Sequence, residues 1–323
     1  MSAMGRADGP PIVRHQSRVM GSELLLLLVD AAEEHARTTV DLLDHLERRW
    51  SRFLPDSDIS RLNRSPGVAV EVDVSTLELV EHMIAGWIGS AGRYDPTVLP
   101  GLLTAGYVAS VDDPGVRTAP PVAGDGAPWL LLEVEVDHAR RTVTLPRGVS
   151  LDPGGIGKGL AADMAVQALR SDGVPGALVS VGGDLRAEGT PPTAVGWVID
   201  VDDPHEPHST AMVLAIDHGA VCTSSTRSRR WIRDGAEQHH VIDPRTRQVA
   251  TTDLAAVTVV AATAADAEVH ATAALLAGRD AAAAELEDAG LAAVLVSTDG
   301  TTTTTSVVAS SAPGGRTNEG MAA

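Results

Sequence analysis

Apolar positions along the chain follow two spacings, and the switches between them mark out its elements. Ala32, Ala36, Val40, Leu43, Leu46 and Trp50 fall at helical spacing. The segment Ser51 to Ser57, with Pro55, ends that helix, and Ile59 to Asn63 makes a further short turn. Leu77, Val80, Ile84, Trp87 and Ala91 form one face of a helix over Ser75 to Gly92, with Ser75 and Glu78 as a capping box and Gly92 as its stop. Leu160, Met164, Ala168 and Leu169 predict a helix closing at Gly173, and Thr263 to Gly278 and Asp280 to Gly290 predict two more. Strands are expected over Arg18 to Asp30, opened by Met20-Gly21-Ser22 and fully buried in its leucine run, and over Thr142 to Leu151 and Ala177 to Val181. Gly196 to Val201, Met212 to Ile216, Ala220 to Thr223 and Val257 to Ala261 read the same way. Asp234-Gly235 and Asp299-Gly300 each sit between two such runs as hairpin turns. Helices interleaved with mixed, hairpin-connected strands predict an α+β fold and argue against a doubly wound parallel sheet.

Composition narrows this picture. With 323 residues, 44% hydrophobic and 21% charged, the chain can bury a large core, but an aromatic share of 2% leaves that core to Ala, Val and Leu. A net charge of −18 argues against a nucleic-acid partner and an anionic membrane surface. An anionic ligand would need local devices: a metal ion, helix termini or a placed lysine. The single cysteine, Cys222, lies in an apolar run and reads as a core thiol. Residues 1 to 16 are polar, lack an apolar signal core and read as disordered, as does the tail from 311 to 323; a cytoplasmic location is the default expectation. Pro114 to Pro128 reads as a linker or surface loop.

The richest stretch runs from Leu151 to Asp163. After Asp152 come Gly154, Gly155, Gly157 and Gly159, with Lys158 among them, and then a helix. Strand, glycine turn with lysine, helix is an arrangement that aims N–H groups and a cation at an anion. Neither the phosphate-loop nor the dinucleotide fingerprint fits its spacing. A tight corner needing glycine for packing is the competing reading, although a corner has no need of Asp152 and Lys158.

Two other groups carry chemistry. Glu268 and Thr272 are four apart on one predicted helix and share a face, so they could hold a hard cation; a solvated helix face would explain them as well. His239 and His240 alternate along a strand, so one imidazole acting as a base fits better than a metal pair, and a half-exposed hairpin remains the alternative. Arg227, Arg229 and Arg230 add local positive charge.

Taken in order, the blocks resemble the FAD:protein FMN transferase (ApbE-like) family over nearly the whole chain. They are the Met20-Gly21-Ser22 start, Ser51 to Asn63, Tyr94-Asp95-Pro96-Thr97, the stretch from Asp152 to Asp163, and Gly182-Gly183-Asp184. Thr223-Ser224-Ser225, His240 to Thr246, and the helix pairing an acid with Thr272 complete them. The resemblance implies an ApbE-like fold in a single domain over 17–310 with its FAD cleft between lobes. It implies Mg²⁺-dependent cleavage of FAD, attachment of FMN to a Thr or Ser hydroxyl of an acceptor protein, and release of AMP.

It also implies roles. Gly155, Glu268 and Thr272 would hold the metal. Met20, Phe53, Arg93, Tyr94, Asp95, Asp152, Lys158 and Ile242 would form the FAD site. His240 would take the acceptor's proton, with Asp243 orienting it. The sequence departs from the family pattern at Glu268, where Asp is usual, and at Arg247, where a glycine normally ends the turn. FAD hydrolysis to FMN and AMP, or flavin binding without turnover, are the alternative readings.

Overall fold

The computed structural model describes residues 10–110, 114–118, 120 and 128–306. Eight strands form one sheet, and every neighbouring pair in it is antiparallel. In spatial order they are Ile12–Val19, Ser22–Val29, Gly176–Val181, Asp184–Gly189, Gly219–Ser225, Leu254–Ala261, Ala292–Ser297 and Thr302–Thr304, which is also their chain order. The helices are α1 (Glu33–Trp50), α2 (Asp58–Arg64), α3 (Val74–Gly89), α4 (Leu99–Ala105), α5 (Gly157–Ser171), α6 (Ala264–Ala277) and α7 (Arg279–Asp288). The α+β expectation holds.

Each strand's alternation feeds two cores. Leu24, Leu26, Leu28, Ala177, Val179 and Cys222 face α1 and α5, while Val257, Val259, Ala293 and Leu295 face α6 and α7. The opposite face, with Val29, Leu178, Val221, Val294 and Val296, is covered by a ribbon of Trp197–Asp202 paired with Thr210–Ile216. Trp197, Ile199 and Val201 point into that layer, so a chain poor in aromatics places a tryptophan where the ribbon needs most area.

Several expectations are corrected. The first strand begins at Ile12, inside the segment read as disordered, because Ile12–Val19 pairs residue for residue with Ser22–Val29. Met20 and Gly21, at φ 54° and 66°, form the two-residue turn between them, where the strand was expected to open. Leu25 and Leu27 are only half-buried, so the leucine run is buried on one face. The expected strand from Thr142 to Leu151 keeps only Thr142–Thr144, in a separate three-stranded sheet. Its remainder is a loop, locked where Asn63 Nδ2 donates to the Leu151 carbonyl at 2.9 Å and Leu151 N–H donates to Asn63 Oδ1 at 2.7 Å. Asp73 caps α3, accepting from the Ser75 N–H at 3.0 Å, in place of the Ser75–Glu78 box. Residues 1–9, most of the 114–128 loop and the C-terminal tail lie outside the described residues. Among the described residues no helix is long and apolar enough to cross a membrane.

Candidate active site

The turn after Asp152 is built from the inside. Asp152 is buried; one carboxylate oxygen accepts from the Gly154 N–H at 2.7 Å and the other lies 2.7 Å from Arg52 Nε. The Arg52 guanidinium in turn stacks 4.1 Å from the Phe53 ring centroid and 4.7 Å from that of Tyr107. Asp152 therefore braces the turn that presents Lys158.

At Gly159 a close approach explains the glycine. A Cβ there would sit 2.4 Å from the Ala264 carbonyl oxygen, so only glycine lets α5 meet the start of α6. Asp163, one turn on, accepts from the N–H groups of Ala264 and Ala265 at 2.8 and 2.9 Å and pins the two helices together.

This docking brings Lys158 and Glu268 into contact. Lys158 Nζ is 2.6 Å from Glu268 Oε1 and also pairs with Asp184; Glu268 Oε2 accepts from the Gly159 N–H at 2.8 Å. Asp184 further accepts from the Thr223 N–H at 3.1 Å. Glu268 is 3% exposed, which rules out a solvated helix face for it. Burial, with Asp184 beside it, pushes the Glu268 carboxyl up to about 7 although Lys158 and the Gly159 N–H pull it down. Burial lowers the Lys158 pKa, but the two carboxylates outweigh it and hold the ammonium above its ordinary value. One turn along α6, Thr272 Oγ1 lies 2.8 Å from Ser224 Oγ, and a Cβ at Gly155 would be 3.9 Å from that Thr272 oxygen. Gly155, Glu268 and Thr272 all line one cleft.

His240 also lines the cleft, its Nδ1 3.2 Å from the Ser228 carbonyl oxygen. A carbonyl can only accept, so Nδ1 carries the proton and Nε2 keeps its lone pair. Burial, with Arg229 and Lys158 nearby, lowers its pKa to about 3, so the ring is neutral. Asp243, expected to orient the ring, accepts from the Arg245 N–H at 2.8 Å and pairs with the Arg245 side chain at 3.2 Å. These bonds close its own turn, while the bond seen at His240 Nδ1 is the one to the Ser228 carbonyl.

The remaining expected residues line the same cleft of about 300 Å³. Met20 N–H donates to Glu47 at 2.8 Å, and Phe53 meets Tyr107 edge-on at 5.9 Å. Arg93 pairs with Glu285 at 2.6 Å, while Asp95 accepts from the Thr97 N–H at 2.8 Å. Tyr94 is buried, which together with Glu268, Asp152 and Asp95 pushes its hydroxyl pKa well up. Ile242 packs against Leu102 and Ala105 of α4. Arg247 adopts φ 59°, the conformation a glycine would take, and its Nη1 donates to the Thr97 carbonyl at 2.9 Å.

The donor set fits a hard divalent cation. Glu268 and Asp184 set two carboxyl groups against the one ammonium of Lys158. The Thr272 and Ser224 hydroxyls stand beside it as oxygen donors. Among the described residues no group of three or more His, Cys, Asp or Glu side chains forms a metal cluster, so such an ion would draw on hydroxyl and carbonyl oxygens too.

Reasoning from sequence left out Asp184, Ser224, Arg52, Tyr107 and Arg229 as site residues. Gly182-Gly183-Asp184 and Thr223-Ser224-Ser225 were visible as blocks, and Arg52 adjoins Phe53. Tyr107 carried no signal.

Antiparallel sheet, paired helices and a polar cleft at the α5–α6 junction define the class as a mixed α+β enzyme fold. The model of the ApbE family matches residues 20–295. The chain is 32% identical to the FAD:protein FMN transferase of Treponema pallidum, with 89% of this chain and 86% of that protein covered. It is 29% identical to the protein of the same name from Escherichia coli K12, covering 83% and 77%. Among solved structures, the ApbE protein of Thermotoga maritima superposes with a TM-score of 0.79 at 25% identity, covering 93% of this chain and 99% of that one. The apo flavinyl transferase ApbE of Pseudomonas stutzeri gives 0.77 at 25% identity, covering 95% and 98%. The chain belongs to the ApbE family, and that membership makes it a transferase.

Proposed function

We propose that the chain is an FAD:protein FMN transferase that moves FMN from FAD to a Thr or Ser hydroxyl of an acceptor protein and releases AMP. The catalytic unit is a single domain over 17–310, and a cytoplasmic acceptor is the partner. The observation that carries this reading is the meeting of Lys158, Glu268, Thr272 and a neutral His240 in one cleft.

His240 Nε2 takes the proton of the acceptor hydroxyl, whose oxygen attacks the phosphorus on the FMN side. The bond to the AMP phosphate breaks, and AMP leaves with the electron pair. Lys158 holds the diphosphate by charge, and the Phe53, Tyr94 and Ile242 wall excludes water from the flavin side. Gly155, Glu268 and Thr272 would hold Mg²⁺, which when bound would neutralise phosphate charge and polarise the attacked group.

The experiment incubates the protein with FAD, Mg²⁺ and a candidate acceptor, and weighs the acceptor. A gain of one FMN with matching AMP supports transfer. Free FMN and AMP without an acceptor would replace transfer by hydrolysis, and stoichiometric FAD binding with no AMP would leave a flavin carrier.

A further inference from the structure

Arg229 follows the Thr223-Ser224-Ser225 segment in a turn where its φ of 47° lies in the left-handed region, an unusual conformation for a side chain that bulky. From there it reaches across the cleft. Its Nη1 donates to the Tyr107 hydroxyl at 3.2 Å and its Nη2 to Ser22 Oγ at 3.2 Å.

The other described cations lining this cleft all have carboxylate partners. Arg52 pairs with Asp152, Arg93 with Glu285, and Lys158 with Glu268 and Asp184. Arg229 bonds to two neutral hydroxyls. It lines the same cleft as Lys158 and His240, and its charge is felt by both. A guanidinium with no carboxylate partner among the described residues, in the cleft of a protein of net charge −18, is an anion receptor. Phosphate oxygens offer charge-assisted, bidentate bonds roughly twice as strong as those a hydroxyl gives, so they would displace Tyr107 and Ser22.

We propose that Arg229 is a catalytic residue that leaves Tyr107 and Ser22 to grip the diphosphate of FAD and neutralise charge on the phosphate in transfer. This rests on the FMN-transfer reading. The guanidinium gives up no proton; it binds equatorial oxygens while the acceptor's O–P bond forms and the P–O bond to AMP breaks. Tyr107 and Ser22 park the side chain between turnovers.

The test uses the full chain with Arg229→Met, Arg229→Lys and, as a control in the same loop, Arg227→Met. AMP release from FAD is followed with Mg²⁺ and acceptor, and binding of inorganic diphosphate is measured by calorimetry. Arg229→Met should lose about 100-fold in kcat with KM for FAD changed less than about fivefold, the loss seen when one transition-state donor is removed. Its diphosphate affinity should fall about tenfold, Arg229→Lys should recover part of both, and Arg227→Met should stay within about twofold of the parent. A purely structural role would lower Tm and raise KM while leaving that kcat loss absent. If Arg229→Met is poorly folded, Arg229→Lys carries the comparison, since it keeps charge without the fork. A kcat within about threefold of the parent, or unchanged diphosphate affinity, overturns the proposal. Should the parent itself release no AMP, the FMN-transfer reading fails separately, and the diphosphate titration still decides Arg229.

Discussion

The carboxylate of Glu268 and the ammonium of Lys158 meet at 2.6 Å although 110 residues separate them. Glycine at 159 and Asp163 make that possible, because α5 can touch the start of α6 only without a Cβ at one position and with a carboxylate at the other. Each can be probed by itself.

Gly159→Ala places a methyl against the Ala264 carbonyl, and one of the two helix ends must move. The expected loss is about 2–3 kcal/mol in urea unfolding, with AMP release falling as Lys158 and Glu268 part. A variant of parental stability and activity would show that the helices have slack there.

Asp163→Ala removes two main-chain hydrogen bonds from α6 and one of the two carboxylates Arg186 meets, its Nε lying 3.4 Å from Asp163 while its Nη2 keeps Glu188 at 2.7 Å. Loss of such a cap costs about 1–2 kcal/mol, read as a fall in Tm. Asp163→Asn, which keeps one acceptor, should fall between the two proteins.

Glu268 gives stability a pH dependence whose sign follows from its raised pKa. The folded protein keeps the proton up to about 7, whereas the unfolded chain releases it near 4.5, so the folded state binds more protons between those values. Stability contributed at this site is therefore lost as pH rises through that window. Glu268→Gln should gain on the parent by on the order of 2 kcal/mol between about pH 4.5 and pH 8, measured by urea unfolding at both. An identical pH dependence in the two proteins would mean that Lys158 keeps Glu268 ionised throughout.

His240 should remain neutral well into acid. Its ring resonances in a histidine NMR titration should not move until pH falls towards about 3, while an ordinary imidazole titrates near 6.5. Replacing it by Asn should lower FMN transfer by about 10²–10⁴-fold. A midpoint near the ordinary value would return His240 to solvent.

Arg247 sets strain against contact. Its φ of 59° opposes stability by about 1–2 kcal/mol, while its hydrogen bond to the Thr97 carbonyl offsets this by about 1.5–3 kcal/mol. Arg247→Ala keeps the strain and loses the bond, so it should be less stable than Arg247→Gly. The reverse order would mean that the left-handed backbone at 247 carries no strain.

How much of this was legible in the sequence depended on whether the signal was local. Helical spacing located α1, α3, α5, α6 and α7, and Asp234-Gly235 marked its hairpin, since both are set by neighbours in the chain. The first strand was cut short because the polar residues His15, Gln16 and Ser17 hide its alternation, which only pairing with Ser22–Val29 reveals. Glu268 and Thr272 were visible as a shared face, but nothing local says that α5 buries Glu268. Asp243 was expected beside His240 from the family resemblance, and the bonds it makes to Arg245 are set within its own turn, which no spacing in the sequence announces. Arg229 showed only as one of several arginines, because what sets it apart is that no carboxylate among the described residues touches it.

The most direct measurement is AMP release from FAD, with acceptor and Mg²⁺, by the parent and by Glu268→Ala side by side. The metal site proposed at Gly155, Glu268 and Thr272 predicts AMP in step with FMN attached by the parent, and a variant that folds but shows no response to Mg²⁺. AMP release by Glu268→Ala at the parental rate, with its Mg²⁺ response intact, would contradict it.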